Sequence, residues 1–485
     1  MKKIAVFCFL SILSISIPSP GISGVRAEEM TLEDYYLNYP SSVSPALCTA
    51  EYWTSKNSGA DQVLLTFDDI QAQNQAFLQS PNTNMCDLAA YPDTVNQTAV
   101  NASLQASFDS QLDQLKKYYR PDGTRIDDSF CSRIRSNLVN SRAQAVQSVG
   151  YLICTTRTGL LAYPTADPLL DDASDPDMDN NQTSTVRVNE PLVALSLSAD
   201  GKFYYCKSGN CSGWVSADHV AVCQDKAQWL VAWRFDNSET LVVTGDRLLL
   251  SDSNANTSVS NVELSMGTTL KLVAKKDIPL LVNHRSTYQN YVVYLPVRQS
   301  DGTLGAQMAL VNQSADVHAG FLPLTSANLA KLAFKELGNV YGWGGMLHSS
   351  DCSLYLCNIY RCFGFQLPRN TTWQKAMPAK NYPLEDLSDD SKKQILDTLP
   401  LGTILFIRGH EMMYLGSSGG EYYVISSLGS VMDPDLDAVT PIRSIIVSPL
   451  STLRGNKTTW LSNLTAAVIP YRVPDAGGGV GPGES

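Results

Sequence analysis

At 485 residues the chain is long for one core, and three or four units of roughly 100–150 residues each are expected. Its formal net charge of −11 argues against a nucleic-acid partner, whose phosphates demand a basic surface. The same charge argues against simple adhesion to an anionic envelope, so any wall contact has to come from shaped pockets.

Residues 1–27 combine Lys2 and Lys3, an apolar run from Ile4 to about Ile17, and a small-x-small ending at Val25 and Ala27. This is the pattern of a secretory signal peptide, with cleavage expected after Ala27. Cys8 lies inside the apolar run without the small residues that precede a lipid-modified cysteine. Losing Lys2, Lys3 and Arg26 with no acidic residue leaves −14 on the mature chain. No later stretch holds 18 unbroken apolar residues, so a soluble mature protein, free of the membrane, is expected. The destination is outside the cytoplasm, either secreted or in the cell envelope. Ten of the 11 cysteines would reach an oxidising compartment, where disulfides persist.

Residues 28–147 carry stretches such as "LQASFDSQLDQLKKYY", apolar at helical spacing and separated by Pro, Asn and Asp clusters. An irregular helical N-terminal domain is expected there. From 148 to 225 short β-rich runs alternate with turn signals: "PLVALSLS", "ADG", "KFYYC", "SGWVSADHVAVC". A second such stretch, 226–325, holds "TLVVTGDRLLLSD", "TTLKLVAKK" and "NYVVYLPVR". Both read as small barrels in tandem. Residues 326–472 bring a helix, "ANLAKLAFKELGN", then a second helix and a set of strands. Residues 473–485 are rich in Gly and Pro and read as a disordered tail.

One combination could bind metal: Cys206, Cys211, His219 and Cys223 at C-x4-C-x7-H-x3-C. The spacing is irregular and falls on a strand pair, so a Cys206 to Cys211 bridge across a turn is the simpler expectation. No metal or cofactor is expected.

The chemistry concentrates in "YGWGGMLHSSDCSLYLCNIYRCFGFQLP". Ser349, Ser350 or Asp351 can cap a helix on which Cys352, Leu356, Ile359 and Phe363 fall along one buried stripe. Gly364 and Pro368 then stop it. A cysteine in the first turn faces the positive end of the helix dipole, which favours the nucleophilic thiolate. Such a nucleophile needs a base that is neutral near pH 7, and histidine suits. His410 lies in "GTILFIRGHEMMYLGSSGGEYYVISSLGS", a strand, Gly-rich turn, strand pattern in which His410, Met412 and Tyr414 share a face. His348 falls on a loop and reads as a rim residue.

"YGWGG", "DCS", "FGFQLPRNTTWQ" and "GHEMMYLG", in this order and spacing, resemble the NlpC family of bacterial cell-wall cysteine endopeptidases. Upstream, "AYPT", "EPLVALSLSADGKFYY" and "GWV" resemble the first bacterial SH3 domain of its multidomain members. "DDIQAQNQAFL" and "DLAAYP" resemble their helical N-terminal region. The resemblance implies a multidomain α+β protein: helical N-terminal domain, two SH3-like β-barrels and a papain-like catalytic domain. It implies Cys352 as nucleophile, His410 as base and Tyr341 as support for the oxyanion. Asp351 and Ser353 match positions that bind the free amine of a terminal L-alanine, though Asp351 also suits a helix cap. Trp343 forms a pocket wall or holds the glycine turn.

Two departures stand out. Relatives often carry a second histidine on the returning strand, where this chain has "VISSLGS". Alignment puts Ser426 there, whereas a symmetric four-residue turn puts Ser427 opposite His410. A serine can fix a tautomer but offers no full charge to an imidazolium. Relatives also often continue "DCSG", and Leu354 replaces that glycine, which suggests a narrower cleft. The implied reaction is hydrolysis of a peptidoglycan stem amide, γ-D-glutamyl to diamino acid, with muropeptides as partners. A non-catalytic wall-binding protein and a cysteine acyltransferase are the alternatives.

Overall fold

The computed structural model describes residues 43–139, 146–433 and 436–472. The expected signal peptide, the tail and residues 28–42 lie outside them. Capping chemistry sets the first helices. Thr66 and Asp69 form a reciprocal capping box for Phe67–Gln79, Asn96 caps Gln97–Leu115, and Asp127 caps Asp128–Asn137. The helix expected to run through Tyr119 ends at Leu115, and Tyr119 pairs with Leu170 in an isolated bridge instead.

The described helices of this region pack on two cores. Helices Ala50–Ser55 and Phe67–Gln79 bury Trp53, Ile70 and Phe77 in the same core as the C-terminal domain. Trp53 lies 5.5 Å from Tyr423, and the Asn74 amide donates to the Gly364 carbonyl at 2.8 Å. The other two helices bury Leu104, Phe108, Phe130 and Ile134 against Leu169, Phe203 and Trp214 of the first β-body. From Val43 onward the described chain therefore packs first on the C-terminal domain and then on the barrel. Apolar periodicity marks a buried face without saying which neighbour covers it.

The first β-body is a seven-stranded antiparallel sheet, its strands in the spatial order 182–186, 158–161, 212–216, 203–207, 191–197, 150–154, 220–222. The second is a five-stranded sheet in the order 304–312, 290–298, 269–272, 240–243, 317–319, with two separate hairpins. The described cysteines are all free, Cys206 and Cys211 included. Strand register puts Cys206 opposite Gly213 and leaves Cys211 beyond the pair, so the expected bridge is absent. No group of three or more potential metal ligands gathers among the described residues, and His219 hydrogen-bonds Thr158 at 2.7 Å. None of their helices is long and apolar enough to cross a membrane.

The C-terminal body is a six-stranded antiparallel sheet in the order 380–383, 466–469, 404–407, 410–418, 421–433, 438–449. Helix Cys352–Arg361 packs on its two central long strands, His410–Ser418 and Glu421–Asp433. Leu356, Ile359 and Phe363 are fully buried, as a stripe at offsets 4, 7 and 11 requires.

Candidate active site

Asp351 is the helix cap: its carboxylate accepts from the Leu354 N–H at 2.9 Å. That fixes Cys352 as the first helical residue, half-buried and unbridged. Ile407 pairs with His410 across a tight Arg408-Gly409 turn, so the histidine opens its strand rather than lying within a long one. The Cys352 sulfur accepts the backbone N–H of Glu411, the residue after His410, and lies 3.9 Å from the Thr371 hydroxyl. Helix and strand thus bring the sulfur against the peptide that joins His410 to Glu411.

His410 Nε2 is 3.1 Å from Ser426 Oγ. Ser427 instead donates to the Ser350 carbonyl at 2.6 Å. The reason is a β-bulge at Leu415: pairing runs Ser418 with Glu421 and Gly416 with Tyr423, then Tyr414 with Val424. One extra residue exchanges the faces beyond it. A symmetric-turn reading therefore selects the wrong serine, and no sequence signal announces the bulge. The Trp460 ring, 5.8 Å from His410, flanks the imidazole.

The protonation states reverse the expectation from the helix end. Burial, then the charges of Asp351 and Glu411, push the Cys352 thiol up to about 12, outweighing the Glu411 N–H and Thr371, which pull it down. Burial, with Arg454 nearby, pulls His410 down to about 4. The resting site holds a thiol and a neutral imidazole. A helix N-terminus favours an anion by only about 0.3–1 kcal/mol at an exposed site, too little against desolvation beside two carboxyls.

Asp351 has further partners. Arg369 grips both its oxygens, Nη2 to Oδ2 at 2.7 Å and Nη1 to Oδ1 at 3.2 Å. Gly344 N–H donates to Oδ2 at 3.1 Å. Arg369 Nη1 also donates to Ser353 Oγ at 2.9 Å, and its Nε to Ser184 Oγ, on the first barrel, at 2.6 Å. Asp351 and Ser353 are both buried, so an incoming ammonium group would compete with a guanidinium.

The turn carrying Tyr341 and Trp343 lies against the same barrel. Gln182 and Thr185 donate to the Gly344 carbonyl at 3.0 and 2.9 Å, and Arg157 to the Gly345 and Ser349 carbonyls at 2.7 and 3.0 Å. Gly344 (φ 56°) and Gly345 (φ 86°) adopt the left-handed region, and a Cβ on Gly344 would come within 2.6 Å of the Gln182 carbonyl. Tyr341 and Trp343 are half-buried. The Tyr341 phenol, pushed up by burial and by Cys352 and Asp351, stays protonated as a donor. Leu354 is buried and lines a small pocket with Arg157, Thr185 and Glu336, on the side of the helix that faces the first barrel. His348 pairs with Glu263 at 2.8 Å on the rim. Arg369, Thr371, Glu411, Trp460 and the barrel residues had no assigned role in the sequence. "FQLPRNTTWQ" was the one signal that could have brought in the first two.

The sulfur of a cysteine that opens a buried helix thus lies against the peptide following a histidine on an antiparallel sheet. Residues 338–431 match the NlpC/P60 family, and residues 168–216 match the SH3 domain of SH3b1 type. The chain therefore carries an NlpC/P60 domain, one of a family of cysteine peptidases, behind an SH3 domain. Among solved structures, an NlpC/P60 endopeptidase from Photobacterium damselae subsp. piscicida is 16% identical, with a TM-score of 0.66 over 86% of this chain and 96% of that one. An NlpC/P60 family protein from Bacillus cereus ATCC 10987 is also 16% identical, with a TM-score of 0.45 over 66% of this chain and 99% of that one. No curated protein matches the chain.

Proposed function

We propose that the protein is an exported cysteine endopeptidase that hydrolyses an amide in the peptide stem of peptidoglycan, the γ-D-glutamyl to diamino acid bond. The observation that carries this is the contact of the Cys352 sulfur with the peptide after His410, within residues matched to NlpC/P60. Ser426 engages His410 Nε2, which leaves Nδ1 to exchange protons with the thiol.

Because the resting pair is neutral, the thiol proton passes to His410 as the sulfur attacks the carbonyl. The S–C bond forms, and negative charge on the carbonyl oxygen is met by the Cys352 N–H and the Tyr341 hydroxyl. Collapse breaks the C–N bond, and His410 delivers its proton to the departing diamino acid nitrogen. Water, with His410 as base, then releases the acyl group from the thioester. Asp351 and Ser353 form the floor under the terminal amine together with Arg369, and Trp343 stands at the side of the cleft.

Digestion of defined muropeptides, with fragments weighed, tests the reading. The native chain should release the diamino acid fragment, and a folded Cys352→Ala chain should release none. Cleavage by that variant contradicts the proposal. One observation favours a wall-binding protein without catalysis: the imidazole has the Arg454 cation near it and no carboxylate partner among the described residues. Tight muropeptide binding with a Cys352 inert to iodoacetamide would establish that reading instead.

A further inference from the structure

One carboxyl beside the nucleophile has no part in the scheme above. Glu411 is fully buried, and its carboxyl makes no close hydrogen bond among the described residues, with the Thr371 hydroxyl beside it. Its backbone N–H goes to the Cys352 sulfur. Its side chain stands by the Thr371 hydroxyl, which is 3.9 Å from that sulfur.

The groups around it come from three elements. Asp351, Cys352 and Cys357 face it from the helix, Arg369 and Thr371 from the segment that follows, and His410 precedes it on its own strand. Arg369 supplies positive charge there, but it is already bidentate on Asp351. A second anion in this space would have no cation of its own, and an unpaired buried charge is costly. Burial and Asp351 accordingly drive Glu411 well above the usual carboxylate range.

We propose that Glu411 is a positioning residue that acts on Cys352 as an uncharged carboxylic acid, its O–H directed toward the Thr371 hydroxyl and its charge withheld from the sulfur. The neutral acid permits a thiolate to form during attack. Once ionised, Glu411 repels that thiolate, and the sulfur holds its proton more tightly. The two groups thus share one space that tolerates a single negative charge. Thiol reactivity should rise with pH less steeply than that of an isolated cysteine.

The inference rests on the reading of Cys352 as nucleophile, and its test does not require muropeptide hydrolysis. The full chain and a Glu411→Gln variant are alkylated with iodoacetamide across pH 6 to 9, and modification is read at the Cys352 peptide by mass spectrometry. The two rates should agree within about threefold at pH 6, and the variant should be about tenfold faster at pH 9, one pKa unit being a factor of ten. Glu411→Val, which also carries no charge, should show the same gain at pH 9 and serves if the amide variant does not fold. A ratio that stays flat with pH overturns the role of Glu411 while leaving the nucleophile standing. A native Cys352 that never reacts overturns both.

Discussion

On one side of Cys352 lies the strand end that carries His410, whose imidazole meets a serine hydroxyl and is flanked by an indole ring. On the other, Asp351, Arg369, Ser353 and Ser184 form a buried network reaching from the helix cap to the first barrel. In the proposed mechanism the first side serves proton transfer, with the Arg454 cation near the imidazole. The second holds fixed, paired charge and serves placement, since Asp351 caps the helix, receives the Gly344 N–H and anchors Arg369 at once. Damage to the first side should therefore appear in rate with the fold intact, and damage to the second in stability.

The largest effect is expected on the base side. His410→Ala should lower turnover of a defined muropeptide by roughly 10²–10⁴-fold, the range for a lost general base, with the fold retained. On the floor, Arg369→Met leaves the Asp351 carboxylate buried and unpaired, and should cost about 3–5 kcal/mol in denaturant unfolding. If Arg369→Met instead slows turnover with no loss of stability, the division between the two sides fails. Ser426→Ala should be milder, about tenfold or less in turnover, because one neutral hydrogen bond contributes about 0.5–1.5 kcal/mol. Ser427→Ala, on the other face, should leave the pH profile of turnover unaltered.

The smallest effect concerns acid. The His410 imidazole falls from 6.5 to about 4 on folding, so between these values the unfolded chain binds the extra proton. The stability this histidine contributes is present above pH 6.5 and is lost as pH falls toward 4. His410→Gln should flatten that part of the stability curve, measured by thermal melts from pH 4 to 7.

Much of the frame was legible because its signals are local. Asp351 as a possible cap, the stripe of Leu356, Ile359 and Phe363, and the strand beginning near His410 follow from short-range periodicity. What escaped was set by neighbours distant in sequence. The Leu415 bulge decides between Ser426 and Ser427, and nothing in "YLGSS" marks it. The thiol's protonation depends on burial and on Asp351 and Glu411 together, which outweigh the helix end. Leu354 faces a junction with the first barrel that periodicity cannot reveal. The same limit explains why one expected helical module belongs to two different cores.

The covalent intermediate offers the most direct test of the central claim. A stem peptide, L-alanyl-γ-D-glutamyl-diaminopimelate, is mixed with the full chain, quenched in acid within milliseconds to seconds, and digested. The account predicts the alanyl-glutamyl mass on the peptide that contains Cys352, and none on a Cys352→Ala chain. Turnover with the acyl group on another residue, or with no acylated residue at all, would contradict it.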